Sequence, residues 1–226
     1  MTKKHKRVLI ILPLMICIAV GVRTYLGSGL YNRTQTLHKL LTENNQLKTA
    51  VSNLSREDQI GYAKVLSQQL KDGVLLTTIK FVETAREDKT TTVLEKQYTI
   101  EGDIIHFDAL IVKFPPEMVL DGSSRALYLW RRIYGENMTP QQGFLIEQPG
   151  TEPGRYAELL EKLPIEDRKL FWSNIWELAN DTEKLNQYGI EALYGNAIYS
   201  RLREGLIYVF KISPTGHLYP EIIPDM

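Results

Sequence analysis

The pair of residues best placed to do chemistry is His106 and Asp108, in the run Asp103-Ile-Ile-His-Phe-Asp108. If this run is a strand, alternation puts both side chains on one face. An imidazole and a carboxylate so placed can orient each other or share a ligand, the basis of general acid–base work. Two positions along a strand span roughly 7 Å, and no serine or cysteine nucleophile is implied beside them. A solvated sheet face explains the pair equally well. His106, Asp108 and Asp103 are thus candidate site residues without a nucleophile. The other two histidines beyond the N-terminus, His38 and His217, have no metal-ligand spacing, and the sequence holds no HExxH, GxSxG, Walker A or GxGxxG motif. Neither a metal nor a cofactor is expected.

Aromatic residues beside arginines form a second candidate. Trp130 and Arg131, with Tyr128, Arg132 and Tyr134, have the chemistry of an interface anchor. Leu127, Trp130 and Tyr134 are also spaced as a core-facing helical stripe, with the arginines left wet. Trp172 and Trp176, one helical turn apart, pose the same choice, and at least one is expected on a surface.

The elements that would position these residues read as α+β. A helix is expected from Ser55 to about Gly73, on the stripe Ile60, Ala63, Leu66 and Leu70. Alternating, β-rich stretches follow at 74–84, 91–100 and 104–114, joined by short polar turns, which predicts an antiparallel meander ended by Pro115-Pro116. Helices are expected at 125–134, 156–163, 165–180 and 183–188, and a last strand at 205–212 before a short tail. Residues 138–155 hold three prolines and three glycines and read as a surface loop or a lid. The sheet and helices pack as one α+β domain over 55–226.

Ahead of that domain the sequence changes character. Residues 1–7, Met-Thr-Lys-Lys-His-Lys-Arg, run into fifteen uncharged residues, Val8 to Val22. At about 1.5 Å per residue these span about 22 Å, short of a hydrocarbon core of about 30 Å. Arg23, Tyr25 and Leu26 can extend the span by snorkelling and by interfacial contact. Residues 8–26 are therefore expected to be a signal-anchor in the lipid bilayer. A cleaved signal peptide competes with this reading, because Ala19 and Gly21 supply small residues before Val22. The basic cluster before the span puts residues 1–7 in the cytoplasm and the rest outside. Cys17, the only cysteine, lies within the span, so the exported part has no disulfide. That fits a bacterial inner membrane and periplasm better than a eukaryotic surface, despite Asn-x-Ser/Thr sequons at Asn32, Asn53, Asn137 and Asn180.

Between anchor and domain, residues 30–54 carry a heptad pattern with Leu37, Asn44 and Val51 at a and Leu40, Leu47 and Leu54 at d. Asn at a suits a parallel two-stranded coiled coil, where facing amides pair across the seam. Tethering two copies in one bilayer raises their effective concentration and holds them parallel. A homodimer is expected, although a single amphipathic helix packed on its own domain fits the same pattern.

The charge balance narrows the function classes. Taking Lys3, Lys4, Lys6, Arg7 and Arg23 from the 27 basic residues leaves 22 against 27 acidic ones, so the body is mildly acidic. That is a poor footprint for nucleic acid. Seven cytoplasmic residues are too few for a self-contained signalling output. The expectation is an anchored envelope scaffold or adaptor, without catalysis, docking on another envelope protein. A periplasmic hydrolase or ligand-binding protein with a site near His106 and Asp108 is the alternative. In layout the chain resembles bacterial division and envelope scaffold proteins with a tiny tail, one span and a periplasmic coil, a likeness limited to about its first third.

Overall fold

The computed structural model describes residues 39–148, 150–156, 165–175, 178, 181–187 and 189–225, with Cys17, Gly21 and Arg23. The expected anchor, Leu37 and Trp176 lie outside these residues, apart from Cys17, Gly21 and Arg23, which are helical. No helix among the described residues is long and apolar enough to cross a membrane. The chain divides into two compact units, Met1–Thr49 and Ala50–Met226.

The second unit is α+β and built on antiparallel sheets. Residues 50–55 of helix α1 (residues 39–55) belong to it and lead into β1 (Asp58–Lys71), β2 (Val74–Thr84), β3 (Thr92–Glu101) and β4 (Ile104–Lys113). A one-turn helix, α2 (Pro116–Leu120), precedes β5 (Leu127–Gly135) and the two-residue β6 (Phe144–Leu145). Helices α3 (Ile165–Asn174) and α4 (Thr182–Gln187) follow, then β7 (Ala192–Arg201), β8 (Leu206–Ile212) and β9 (Leu218–Pro224).

The strands form a five-stranded sheet in the order β3-β2-β1-β8-β9 and a four-stranded sheet in the order β6-β5-β4-β7. Their inner faces share one core, in which Phe81, Phe107, Trp130 and Phe210 meet. Trp130 stands edge-on to Phe81 with ring centroids 5.2 Å apart. Such a pair adds about 0.5–1.5 kcal/mol beyond its buried area. The outer face of the four-stranded sheet carries a second core, where Leu110, Val112, Leu127, Leu129 and Leu193 meet Phe171, Trp172 and Leu185 of the helices. The unit therefore has three layers, with the four-stranded sheet in the middle and apolar on both sides along most of its length.

Several expectations are corrected. The 55–73 segment is not a helix: it ends α1 and forms β1, which pairs with β2 and β8 on its two sides. Its register shifts at Gln59/Gly61 and at Val65/Ser67. Each bulge inserts a residue and breaks the period of two, and the irregular result imitates a helical stripe. Leu66 and Leu70 of that stripe are exposed. A side chain at Gly61 would meet the Val82 carbonyl oxygen, which the close pairing with β2 forbids. The 125–134 segment is likewise strand β5, apolar on consecutive residues because both of its faces are covered.

The three strands β2, β3 and β4 form where expected, but not as one meander. β3 pairs with β2 alone, while β4 pairs with β5 and β7 in the other sheet. Strand β7 and the pairing of the C-terminal tail as β9 were absent from the sequence reading. Helix α3 ends at Asn174 among the described residues, and α4 matches the expected 183–188 helix within a residue at each end. Residues 157–163 of the expected 156–163 helix lie outside the described residues; Gly154–Tyr156 form a 3₁₀ turn. Within the second unit, Asn53 Nδ2 donates to the Leu120 carbonyl at 2.8 Å.

Candidate functional site

The outer face of the four-stranded sheet is apolar under the helices and polar beyond them, and the polar end is where His106 and Asp108 lie. Both alternate outward from β4, on the same face as expected, while Phe107 and Ala109 point into the shared core. The His106 ring stacks on Tyr134 of β5 at 4.7 Å with planes 4° apart, and meets Tyr199 of β7 at 5.7 Å. These are its cross-strand neighbours in register. Tyr199 is 70% exposed, so the row opens to solvent on the β7 side.

Asp108 faces two arginines because of a bulge. The pairing runs Asp108 to Arg132 and Ala109 to Trp130, which leaves Arg131 as the extra residue. Arg131 Nε and Arg132 Nε both stand 3.6 Å from Asp108 Oδ2, ion pairs rather than hydrogen bonds. Burial raises the Asp108 carboxyl above its ordinary value, against the pull of Arg131 and Arg132. Asp103 pairs instead with Arg201, at 3.5 Å. The three candidate acid–base residues thus have structural partners, and no nucleophile is paired with His106 among the described contacts. Segment 138–155, read as a loop or lid, contains β6 and two 3₁₀ turns and is tied to the body: Lys96 Nζ donates to the Ile146 carbonyl and Arg132 Nη1 to the Pro140 carbonyl.

Trp130 and Trp172 are not surface anchors in this fold. Trp130 is fully buried in the shared core and Trp172 is stacked on Tyr156 in the outer one. Arg131 is half-buried at the bulge. By contrast the heptad positions within α1 are open: Leu40, Leu47, Val51 and Leu54 are 57%, 67%, 63% and 42% exposed, and Asn44 is exposed with them.

A second polar cluster escaped the sequence reading. Glu83 of β2 is 1% exposed, with Tyr128 Oη donating to its Oε1 at 3.0 Å and Arg155 Nη1 at 3.1 Å. Arg155 also binds Glu147 through both terminal nitrogens, at 2.6 and 2.9 Å, and donates to the Tyr128 carbonyl at 3.0 Å. Its guanidinium lies 4.8 Å from each of the Tyr128 and Tyr156 rings. Burial pushes the Glu83 carboxyl up to about 7, against the pull of Arg155 and with Glu147 adding to the rise. One signal was available: alternation from Ile79 and Phe81 places Glu83 on the inner face. Nothing local marks Arg155, which is 72 residues away along the chain.

Near this cluster a cleft of about 420 Å³ opens between the β2–β3 turn, segment 122–127 and Tyr156. Among the described residues no group of three or more His, Cys, Asp and Glu side chains is arranged to hold a metal ion. No family model, curated protein or solved structure matches the chain.

Proposed function

We propose that this chain is a membrane-anchored envelope protein that pairs with a second copy through α1 and presents its α+β unit as a non-catalytic scaffold or adaptor outside the cytoplasm. The observation that carries the reading is the apolar stripe of α1, Leu40, Leu47, Val51 and Leu54, which is exposed in the single chain and repeats every seven residues with the a and d spacing of a coiled coil. The gain from covering these side chains is opposed by the freedom lost on pairing, so three heptads make a marginal seam in solution. Residues 8–26, as a signal-anchor in a bacterial inner membrane, supply the tether that makes the seam sufficient, with residues 1–7 cytoplasmic. The docking partner is another envelope protein.

A hydrolase or ligand-binding protein centred on His106 and Asp108 draws less support. His106 is engaged by two tyrosine rings and Asp108 by two guanidiniums, an arrangement that organises a sheet face without supplying a nucleophile.

The test is crosslinking in native membranes with single cysteines at Asn44 and Leu47, in a Cys17→Ser background, together with the mass of the mature chain. Full-length chains that crosslink as homodimers at both positions are expected, and Leu40→Lys should abolish the crosslinks while leaving the melting of the α+β unit unchanged. A shortened, soluble monomer starting near Val22 sinks the proposal.

A further inference from the structure

The 420 Å³ cleft has the size and mixed lining of a small-molecule site. Ala85, Val93, Leu127 and Tyr156 give it apolar walls, and Arg86 and Arg125 bring charge to it. Those charges belong to a cluster where α1 passes into β1. Asp58, 5% exposed, accepts a hydrogen bond from Arg125 Nη1 at 3.0 Å and forms ion pairs with Arg56 Nε at 3.3 Å and Arg86 Nε at 3.5 Å. The second carboxylate is Glu87, which takes Arg125 Nη2 at 2.7 Å and Arg56 Nη2 at 3.1 Å. Three guanidiniums therefore face two carboxylates, an excess of one positive charge.

The two carboxylates differ in how firmly they are held. Asp58 is buried and fixed by its place at the start of β1. Glu87 is 69% exposed on the β2–β3 turn, where solvent screening leaves an ion pair weak. Its carboxylate shows how an anion sits on Arg125 and is cheap to displace. Arg155, the other cation of the cleft, is already neutralised by Glu83 and Glu147.

We propose that this cleft binds a small amphipathic anion, with a carboxylate or phosphate head on Arg125 in place of Glu87 and a short apolar body against Val93, Leu127 and Tyr156. The head is matched by the planar fork of the guanidinium, the body by the apolar walls. The site lies wholly within residues 50–226 and is independent of pairing through α1, so it stands or falls apart from the proposed function. A free amphiphile and the headgroup of an anionic lipid share this chemistry.

The experiment is equilibrium dialysis of radiolabelled octanoate against the full-length chain in the presence of phosphatidylcholine nanodiscs, whether or not the chain inserts in them, with nanodiscs alone as the blank. Saturable binding of one octanoate per chain is expected, with no competition by octylamine. Glu87→Gln removes the internal competitor and should tighten binding several-fold, whereas a cationic ligand would bind more weakly to it. Arg125→Gln should weaken octanoate by about tenfold or more. Because that variant also strips Asp58 of a partner, Val93→Glu is the companion: an exposed wall position where a like charge should weaken binding about tenfold while the melting temperature stays unchanged. No saturable binding above the blank, equal competition by octylamine, or full affinity in Val93→Glu each overturns the site. Repeating the titration in nanodiscs containing phosphatidylglycerol identifies the source. Competition by the lipid assigns the head to the bilayer, and its absence assigns it to a free amphiphile; both support the site.

Discussion

Glu83 is a carboxyl that burial removes almost entirely from water. An unfolded glutamate ionises near 4.5, whereas burial holds this one at about 7. Between those values the folded chain keeps a proton that the unfolded chain has released. Its contribution to stability is therefore complete below about pH 4.5, falls as pH rises through about 7, and is flat beyond. The total is about 3 kcal/mol. Glu83→Gln keeps the acceptor for Tyr128 and removes the titration, so the variant should gain on the wild type as pH rises. Urea unfolding of both proteins at pH 5 and pH 8 measures this, and parallel pH dependences would refute it. Other carboxyls run the opposite way: hydrogen bonds from the Thr90 and Thr91 side chains hold Asp88 down at about 2. The comparison must therefore be between variant and wild type rather than between pH values alone.

At the scale of elements, the bulges decide what the strands can display. The extra Arg131 in β5 turns two arginines toward one aspartate and shifts the alternation so that Ile133 still faces the core. Rings add to the aliphatic packing that holds the helical layer: Trp172 lies 6.0 Å from Tyr156 with planes 8° apart, and Tyr156 Oη donates to the Tyr128 carbonyl at 2.8 Å. Trp172→Ala should cost about 3–5 kcal/mol. Hydrogen exchange should quicken across α3 while β1 and β2 stay protected relative to it. Uniform loss of protection in both sheets would show that the layer is not locally separable.

At the scale of the molecule, the middle sheet joins two cores. Strands β4 and β5 give Phe107 and Trp130 to one side and Leu110 and Leu129 to the other. Neither core can be lost without exposing the sheet that builds the other, so global unfolding of the α+β unit should be a single transition. Trp130 and Trp172 report the two cores separately. A Trp172→Phe/Trp176→Phe chain and a Trp130→Phe/Trp176→Phe chain should each show one fluorescence transition, coincident with that chain's own loss of β-sheet circular dichroism. A transition displaced from the circular dichroism in either chain would mean that one layer melts alone. The Trp172→Ala result and this one are compatible, since local opening below the global transition leaves its cooperativity intact.

The sequence by itself determined what depends on neighbours along the chain. Regular alternation marked β2, β3, β4 and β8, the change of period placed His106 and Asp108 on one face, and heptad spacing marked α1 as an amphipathic helix. Tertiary structure decided whatever depends on pairing. β1 and β5 read as helices because bulges broke the alternation in one and burial on both faces removed it in the other. Which sheet β4 joins is set by hydrogen bonds to β5 and β7, the latter about 90 residues further on, which local pattern does not carry. The same holds for charge. Glu83, Arg155 and Asp58 are ordinary surface types in sequence, and only the fold removes them from water, where an ion pair must be satisfied to be tolerated.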